Sequence, residues 1–441
     1  MDTPFDLDKK FFLDISRHGN ALQLLPSFLR KIEAQDFSTW RDKLFSGEVV
    51  NNTENRPALH VQIRAPESRK SYDPLKKFSD KIRQEKKYTD IVNIGIGGSD
   101  LGPAMIYKAL EPQRDGPRSH YVSNLDASHI QQTLAALNHE TTFFLIASKT
   151  FTTMETLENA KRALAWQPDK SHYAALTANK DEAQRFGIGA ENIFSFPEGI
   201  GGRYSVWSSI GLSLCISFGS EVFSNLLDGA HGMDRHFAEA PLEENMPVLA
   251  AMLGQYHLLH GRQAHAVLPY AENLGRLPAY LQQLIMESNG KKKTREGVAL
   301  KSSPCAIIFG EAGTNAQHSF MQFIHESPAT VPVDFIGIIS PRQNGLMANM
   351  LAQAQALESN GRPSSIILLQ ELNAFCLGML LAFYEHRTFT EAVFCSINPF
   401  DQPGVEMGKK IAKELSPALE KQGDLTEPHK NLDSLLKILD N

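Results

Sequence analysis

A chain of 441 residues, 42% hydrophobic and 21% charged, has the make-up of an ordinary globular protein and the length for two or three domains. Its formal net charge of −6 argues against a nucleic-acid binder, since affinity for a phosphate backbone rests on accumulated Lys and Arg. Four cysteines, Cys215, Cys305, Cys376 and Cys395, lie far apart in apolar contexts with no C-x-x-C pair, as buried free thiols in a reducing compartment do.

The N-terminus, "MDTPFDLDKKFFLD", is acidic and lacks a basic region followed by an apolar core, so no signal peptide is expected and the location expected is cytoplasmic. Residues 1–60 mix short amphipathic stretches with polar turns and read as a helical lead-in. From about residue 60 the texture changes. "DIVNIGIGG" (90–98), "SHYVSNL" (119–125), "TTFFLIASK" (141–149) and "YAALTA" (173–178) are apolar strand candidates, mostly followed by helix-period sequence. Strands alternating with helices imply a doubly wound parallel sheet, buried on both faces.

The first strand runs into "NIGIGGSDLGP" (93–103), which nearly fits G-x-G-x-x-G but holds Asp100 at the third glycine position. A tight strand-to-helix turn explains it equally well. Either way, Gly97, Gly98 and Ser99 would present backbone N–H groups at a helix N-terminus, which suits one phosphate. A later strand runs into "ASKTFTTMET" (147–156), where Ser148, Lys149, Thr150, Thr152 and Thr153 crowd a strand-to-helix junction. Thr153 and Thr156 can cap the helix, but five such groups exceed the needs of one cap. A phosphomonoester fits them, with hydroxyls donating to its oxygens and the helix dipole favouring its charge.

Next, "EGIGGRYSVWSSIGL" (198–212) presents Arg203 after two glycines, either paired with a buried carboxylate or fixed beside a developing oxyanion. "LDGAHGMDRHFAEAPLEENMPVLAAML" reads as helices bridging to a second strand set: "QAHAVLPY" (263–270), "PCAIIFG" (304–310), "PVDFIGIIS" (332–340) and "SSIILLQ" (364–370). His257, His260 and His265 are closely spaced but have no acidic third ligand nearby in sequence, so no metal centre is expected. "YLQQLIMESNGK" (280–291) reads as a helix that stops at Asn289-Gly290, with Glu287 in its last turn. The macrodipole disfavours a carboxylate there, so Glu287 is either tolerated at the surface or held for a purpose, such as a general base.

The basic run "KKKTR" (291–295) fits a solvated face or a local ligand site. "GEAGTNAQHSFMQFIHE" (310–326) follows a strand, with Thr314 as the expected N-cap and His318 on the helix. "FCLGMLLAF" (375–383), among the longest apolar patches, is too short to span a membrane. The tail, "EMGKKIAKELSPALEKQ" and "DSLLKILDN", is amphipathic helix.

In this order, "EGIGGRYSVWSSIG", "YLQQLIMESNGK", "GTNAQHSFMQFIH" and "YEHRTF…INPFDQPGVEMGKK" resemble the glucose-6-phosphate isomerase (phosphoglucose isomerase) family, in its shorter bacterial form. "GIGGSDLGP" and "ASKTFTTMET" resemble its phosphate-binding loops. The resemblance implies two flavodoxin-like sugar-isomerase (SIS) α/β domains with parallel sheets and helical terminal segments, divided as 1–60, 61–225, 226–400 and 401–441. It also implies a homodimer without metal or cofactor that interconverts glucose 6-phosphate and fructose 6-phosphate in glycolysis and gluconeogenesis.

Residue by residue, the resemblance makes Glu287 the base and Arg203 the cation beside the enediolate. His318, supplied by the partner subunit, and Lys409 would open the sugar ring. Gly98, Ser99, Ser148, Lys149, Thr150 and Thr153 would hold the phosphate, and Gln283 and Gln402 would contact substrate. Pro403 follows Gln402 where relatives often carry Trp.

Two rival readings fit less well. A sugar-phosphate-sensing regulator would lack the Glu287, His318 and Lys409 set and would carry a basic DNA-binding element. A zinc-dependent mannose-phosphate isomerase would need a metal cluster.

Overall fold

The expected strands pair in parallel, in two sheets. The computed structural model describes residues 4–340 and 342–419, with Leu432, Leu435 and Ile438. In the first sheet, Arg118–Val122, Asp90–Ile94, Thr142–Ala147, Tyr173–Thr177 and Ile193–Ser195 lie side by side, which in chain order is 2-1-3-4-5. That is the flavodoxin-like order, whose switch point falls between the first and third strands. In the second sheet, Ile307–Gly310, Ala264–Pro269, Val333–Ile338 and Ser364–Leu369 repeat it as 2-1-3-4.

The fifth place in the second sheet belongs to the N-terminus. Phe11–Arg17 pairs antiparallel with Ser364–Leu369, and Phe5–Leu7 pairs with Phe11–Arg17 at the edge. The lead-in expected to be helical is therefore mixed: these strands precede helices Asn20–Glu33 and Phe37–Ser46. The reason is the period-2 alternation of Phe11, Leu13 and Ile15, which are all fully buried.

Both sheets are covered on both faces. In Thr142–Ala147, Phe143, Leu145 and Ala147 join a central core shared with the second sheet, whereas Phe144 and Ile146 join an outer one. Val267, Ile336 and Ile367 of the second sheet enter the same central core, and Leu268, Val333 and Phe335 form its outer one.

Through the centre runs the helix Ala374–Phe394, buried at every residue except Phe375 and Phe394. It contains the apolar patch at 375–383. The bridging sequence forms helices Ser220–Glu239 and Met246–Leu259. By its internal contacts the chain divides into Met1–Phe400 and Asp401–Asn441. The second unit contains the helix Pro403–Leu419, and most of the expected tail beyond it lies outside the described residues.

Candidate active site

Strands Asp90–Ile94 and Thr142–Ala147 are neighbours, so the loops leaving their carboxyl ends meet at the switch point of the first sheet. The first loop is the 3₁₀ turn Gly97–Ser99, entered through Gly97 at φ 59°. A Cβ on Gly98 would fall 1.9 Å from the Gly202 carbonyl oxygen, so only glycine lets this turn pack on the one that carries Arg203.

In the second loop, buried Ser148 meets the Thr153 hydroxyl at 3.0 Å and accepts the Phe151 N–H at 3.1 Å. Thr153 occupies the N-cap of helix Met154–Trp166, as expected, but makes no capping hydrogen bond. The first-turn N–H groups of this helix are therefore not answered by its cap. Phe151, buried, adopts φ 54°, a conformation that costs a bulky residue about 1–3 kcal/mol and that clusters at ligand clamps. Thr150 is exposed, and its Oγ1 accepts from Thr152 Oγ1 at 2.8 Å.

Lys149 also links this loop to a neighbouring segment. Its Nζ donates to the Glu198 and Ile200 carbonyls at 2.6 and 3.0 Å, tying this loop to the chain that leads into Arg203. Burial, reinforced by Arg56, pushes its ammonium below the ordinary lysine range.

Arg203 sits in the 3₁₀ turn Gly202–Trp207 with its side chain 1% exposed. Its Nε donates to Ser288 Oγ at 2.6 Å, its Nη2 donates to the Pro399 carbonyl, and its Nη1 lies 3.4 Å from Glu287 Oε2. Glu287 itself is 24% exposed. The guanidinium is fixed from behind, and the carboxylate it faces remains open to solvent on one side. Of the two sequence readings of Arg203, the pairing with a carboxylate is the one seen, although that carboxylate is part-exposed and not buried.

The helix carrying Glu287 is not a regular α-helix. After Leu277–Leu281 the chain widens into a π-helical stretch, Gln282–Glu287, before ending at Asn289. Such widened turns occur frequently at functional sites. Gln283 lies in the same stretch, and its Nε2 is 3.0 Å from where a Cβ on Gly97 would stand. The fold therefore gathers Gly98, Ser99, Arg203, Gln283 and Glu287, contributed by both halves of the sequence.

His318 is not among them. It lies in the turn just after the short helix Gly313–Gln317, whose N-cap is Ala312 rather than Thr314. The residue is exposed, and its ring makes no hydrogen bond or ion pair among the described residues. Gln402 is exposed at the entry to Pro403–Leu419, which Pro403 opens, a position that suits its fixed φ. Lys409 falls on that helix, and its side chain lies outside the described residues.

The closely spaced histidines are engaged structurally. His257 meets His18 at 2.8 Å and Arg262 at 2.6 Å, and His260 meets the Tyr256 carbonyl at 2.7 Å. Asp334 lies 3.0 Å from His265, brought there by its strand. Among the described residues, no group of three or more His, Cys, Asp or Glu is arranged to hold a metal ion.

Sequence reasoning missed Ser288 and the Pro399 carbonyl as partners of Arg203. Ser288 adjoins Glu287 and was open to suspicion, but Pro399 reaches Arg203 only through the fold. Chemically, the site offers a fixed cation beside a part-exposed carboxylate, one turn away from N–H groups and hydroxyls suited to an anion. That arrangement can hold a phosphorylated substrate while moving a proton next to a developing oxyanion.

Comparison with known proteins gives a consistent result. The family model described as Phosphoglucose isomerase matches residues 14–361 and 358–436. A glucose-6-phosphate isomerase of Chelativorans sp. (strain BNC1) is 41% identical over 93% of this chain and 88% of its own length. That of Brucella anthropi is 42% identical over 88% of this chain and 82% of its own. Among solved structures, a glucose-6-phosphate isomerase from Chlamydia trachomatis superposes with a TM-score of 0.88 at 30% identity, covering 98% of this chain and 92% of that one.

Proposed function

The chain belongs to the phosphoglucose isomerase family, and from that premise we propose how its residues perform the reaction. The enzyme is an aldose-ketose isomerase that interconverts glucose 6-phosphate and fructose 6-phosphate. The observation that carries the assignment of roles is the 3.4 Å contact between buried Arg203 and part-exposed Glu287.

The phosphate is held by the Gly98 and Ser99 turn and by the hydroxyls of Ser148, Thr150 and Thr153, at the N-terminus of Met154–Trp166. This end of the substrate does not react, so its binding energy serves orientation. Lys149 supports the site by holding the 198–200 chain. Gln283 and Gln402 contact the sugar.

Ring opening moves a proton from the C1 hydroxyl to the ring oxygen, tasks that His318 and Lys409 share. Glu287 then removes the proton from C2 of the open aldose and delivers it to C1, while O1 gains a proton and O2 gives up its own, giving the ketose; the reverse reaction runs the same steps backwards. The enediolate between them carries negative charge on oxygen, which Arg203 stabilises without giving up its own proton. Each step is a proton transfer between protein and sugar, so the proposed chemistry needs no metal or cofactor.

The assembly proposed is a homodimer in which His318 completes the partner subunit's site. Its exposed position, with no partner for its ring among the described residues, supports that reading. The proposed location is the cytoplasm, in keeping with the buried unpaired thiols of Cys215, Cys305 and Cys376. Among the described residues, no helix is long and apolar enough to cross a membrane. The test of the site is a coupled assay in both directions on Glu287→Gln, where near-normal turnover would remove Glu287 from its role.

A further inference from the structure

The central helix Ala374–Phe394 carries Glu385, His386, Arg387 and Glu391 in a fully protein-lined setting, each at most 4% exposed. Ionised groups are costly there unless each is paired and hydrogen-bonded. Arg64, itself fully buried, bridges Glu385 and Asp234, and His386 Nε2 meets Asp234 at 2.7 Å. On the other side of the helix network, Arg387 meets Asp334 at 2.8 Å and Glu391 at 3.1 Å.

In both clusters the arginine engages one oxygen of the glutamate and leaves the other for a neutral donor. Glu385 Oε1 accepts the Trp207 indole N–H at 2.7 Å, and the Arg64 guanidinium lies 4.8 Å from that ring's centre. Glu391 Oε2 accepts from Asn289 Nδ2 at 3.2 Å, and the same amide donates to the Thr388 carbonyl at 3.1 Å. Both neighbours of the Asn289 amide are acceptors, so its orientation is fixed.

These two donors flank the catalytic pair. Trp207 closes the Gly202–Trp207 turn that holds Arg203. Asn289 stands two residues after Glu287 and next to Ser288, the acceptor of Arg203 Nε at 2.6 Å. Well-packed apolar residues often replace buried ion pairs without loss of stability. What the buried charges add is direction: two acceptors on one rigid element, Glu385 and Glu391, each holding a donor that lies within four residues of one member of the pair.

We infer that Trp207 and Asn289, anchored by Glu385 and Glu391 of the central helix, are positioning residues that set the separation of Arg203 and Glu287. The inference rests on the roles proposed above for that pair.

The test uses Trp207→Phe and Asn289→Ala in the intact enzyme, with functional sites counted by calorimetric titration with 6-phosphogluconate, an unreactive phosphorylated acid. Because the phosphate contacts are untouched, KM should stay within about twofold. Per titrated site, kcat should fall about 10- to 100-fold, the scale of a small misplacement of reacting groups. In a Glu287→Gln background, Asn289→Ala should lower the residual rate by less than about twofold, because the base it positions is already gone.

A kcat per site within about twofold of wild type for both single variants would overturn the inference. So would an undiminished further loss in the Glu287→Gln background, which marks a structural role. If Glu287→Gln is inactive while Asn289→Ala and Trp207→Phe are normal, the positioning role alone fails. If Glu287→Gln keeps near-normal turnover, the base assignment fails and the positioning role fails with it. Either single variant decides the matter should the other not fold.

Discussion

The two sheets share a strand order and differ at their switch points. In the first, the loops leaving Asp90–Ile94 and Thr142–Ala147 bring glycines, hydroxyls and a helix N-terminus to the crevice. In the second, the corresponding place after Ala264–Pro269 is filled by Tyr270, 2% exposed, whose ring lies 2.3 Å from where a Cβ on Gly313 would stand and whose hydroxyl accepts from Gln317 at 2.9 Å. One crevice presents groups that could meet an anion, and the place corresponding to it in the other holds a buried aromatic side chain. The repeated architecture does not repeat the chemistry, because chemistry resides in the loops and not in the strand order. The connections of the second sheet carry Glu287 and His318, to which the proposed mechanism gives the base and a ring-opening role.

The largest effect that would test this division is on Glu287. Glu287→Gln should fold and bind substrate but lose about 10²–10⁴-fold in kcat, read in the coupled assay in both directions.

Next comes the anion crevice. Ser148→Ala and Thr150→Ala should each weaken phosphate binding by about 1.5–3 kcal/mol and raise KM more than they lower kcat. Inorganic phosphate should compete with substrate. Kinetics indifferent to millimolar phosphate and sulfate would place the anion elsewhere.

Acid should strain the packing around the second sheet. His18 meets Ser365 of that sheet at 2.9 Å, and burial pushes its ring down to about 3. Burial likewise pushes His257 far below the ordinary range and His236 down to about 4. Rings held neutral in the fold but free to take a proton when unfolded contribute full stability above the ordinary value of 6.5. That stability is lost as pH falls from there toward 3–4, by on the order of 1–2 kcal/mol per ring at pH 5. Urea unfolding at pH 7 and pH 5 measures it, and equal stability at the two would show that these rings accept protons in the fold.

A smaller signal reports on assembly. If Glu287 acts in its own chain's site and His318 in its partner's, mixing Glu287→Gln with His318→Ala should restore up to about a quarter of wild-type activity on subunit exchange. Mixtures that stay inactive despite exchange seen by mass spectrometry would place His318 in its own chain's site.

The smallest effect belongs to the switch point of the second sheet. Tyr270→Phe should cost about 1 kcal/mol of stability through one lost hydrogen bond and leave KM unchanged. A KM that rises as it does for Ser148→Ala would mean that both switch points bind substrate.

Much of this molecule is local in origin and was therefore legible. Runs apolar on both faces, such as "TTFFLIA", can only be buried strands between covering layers, and glycines after a strand announce a loop near a ligand. The motifs holding Ser99, Ser148, Arg203 and Glu287 could be read because each sits on a strand-to-helix or helix-end junction visible within a dozen residues. The alternation of Phe11, Leu13 and Ile15 is just as local, but in a stretch expected to be helical it is too short to announce a strand, and it does not say which sheet that strand joins.

Tertiary structure alone decided the rest. That Phe11–Arg17 pairs with a strand more than three hundred residues away, that Lys149 holds the Glu198 and Ile200 carbonyls, that Asp334 supplies the acid missing beside His265, and that Glu385 and Glu391 anchor Trp207 and Asn289 are all contacts between distant parts of the chain. Periodicity and turn chemistry are set by neighbours in sequence. Pairing, the widened turn at Gln282–Glu287 and the partner of each buried charge are set by what the packed core leaves beside them, and no local pattern encodes that.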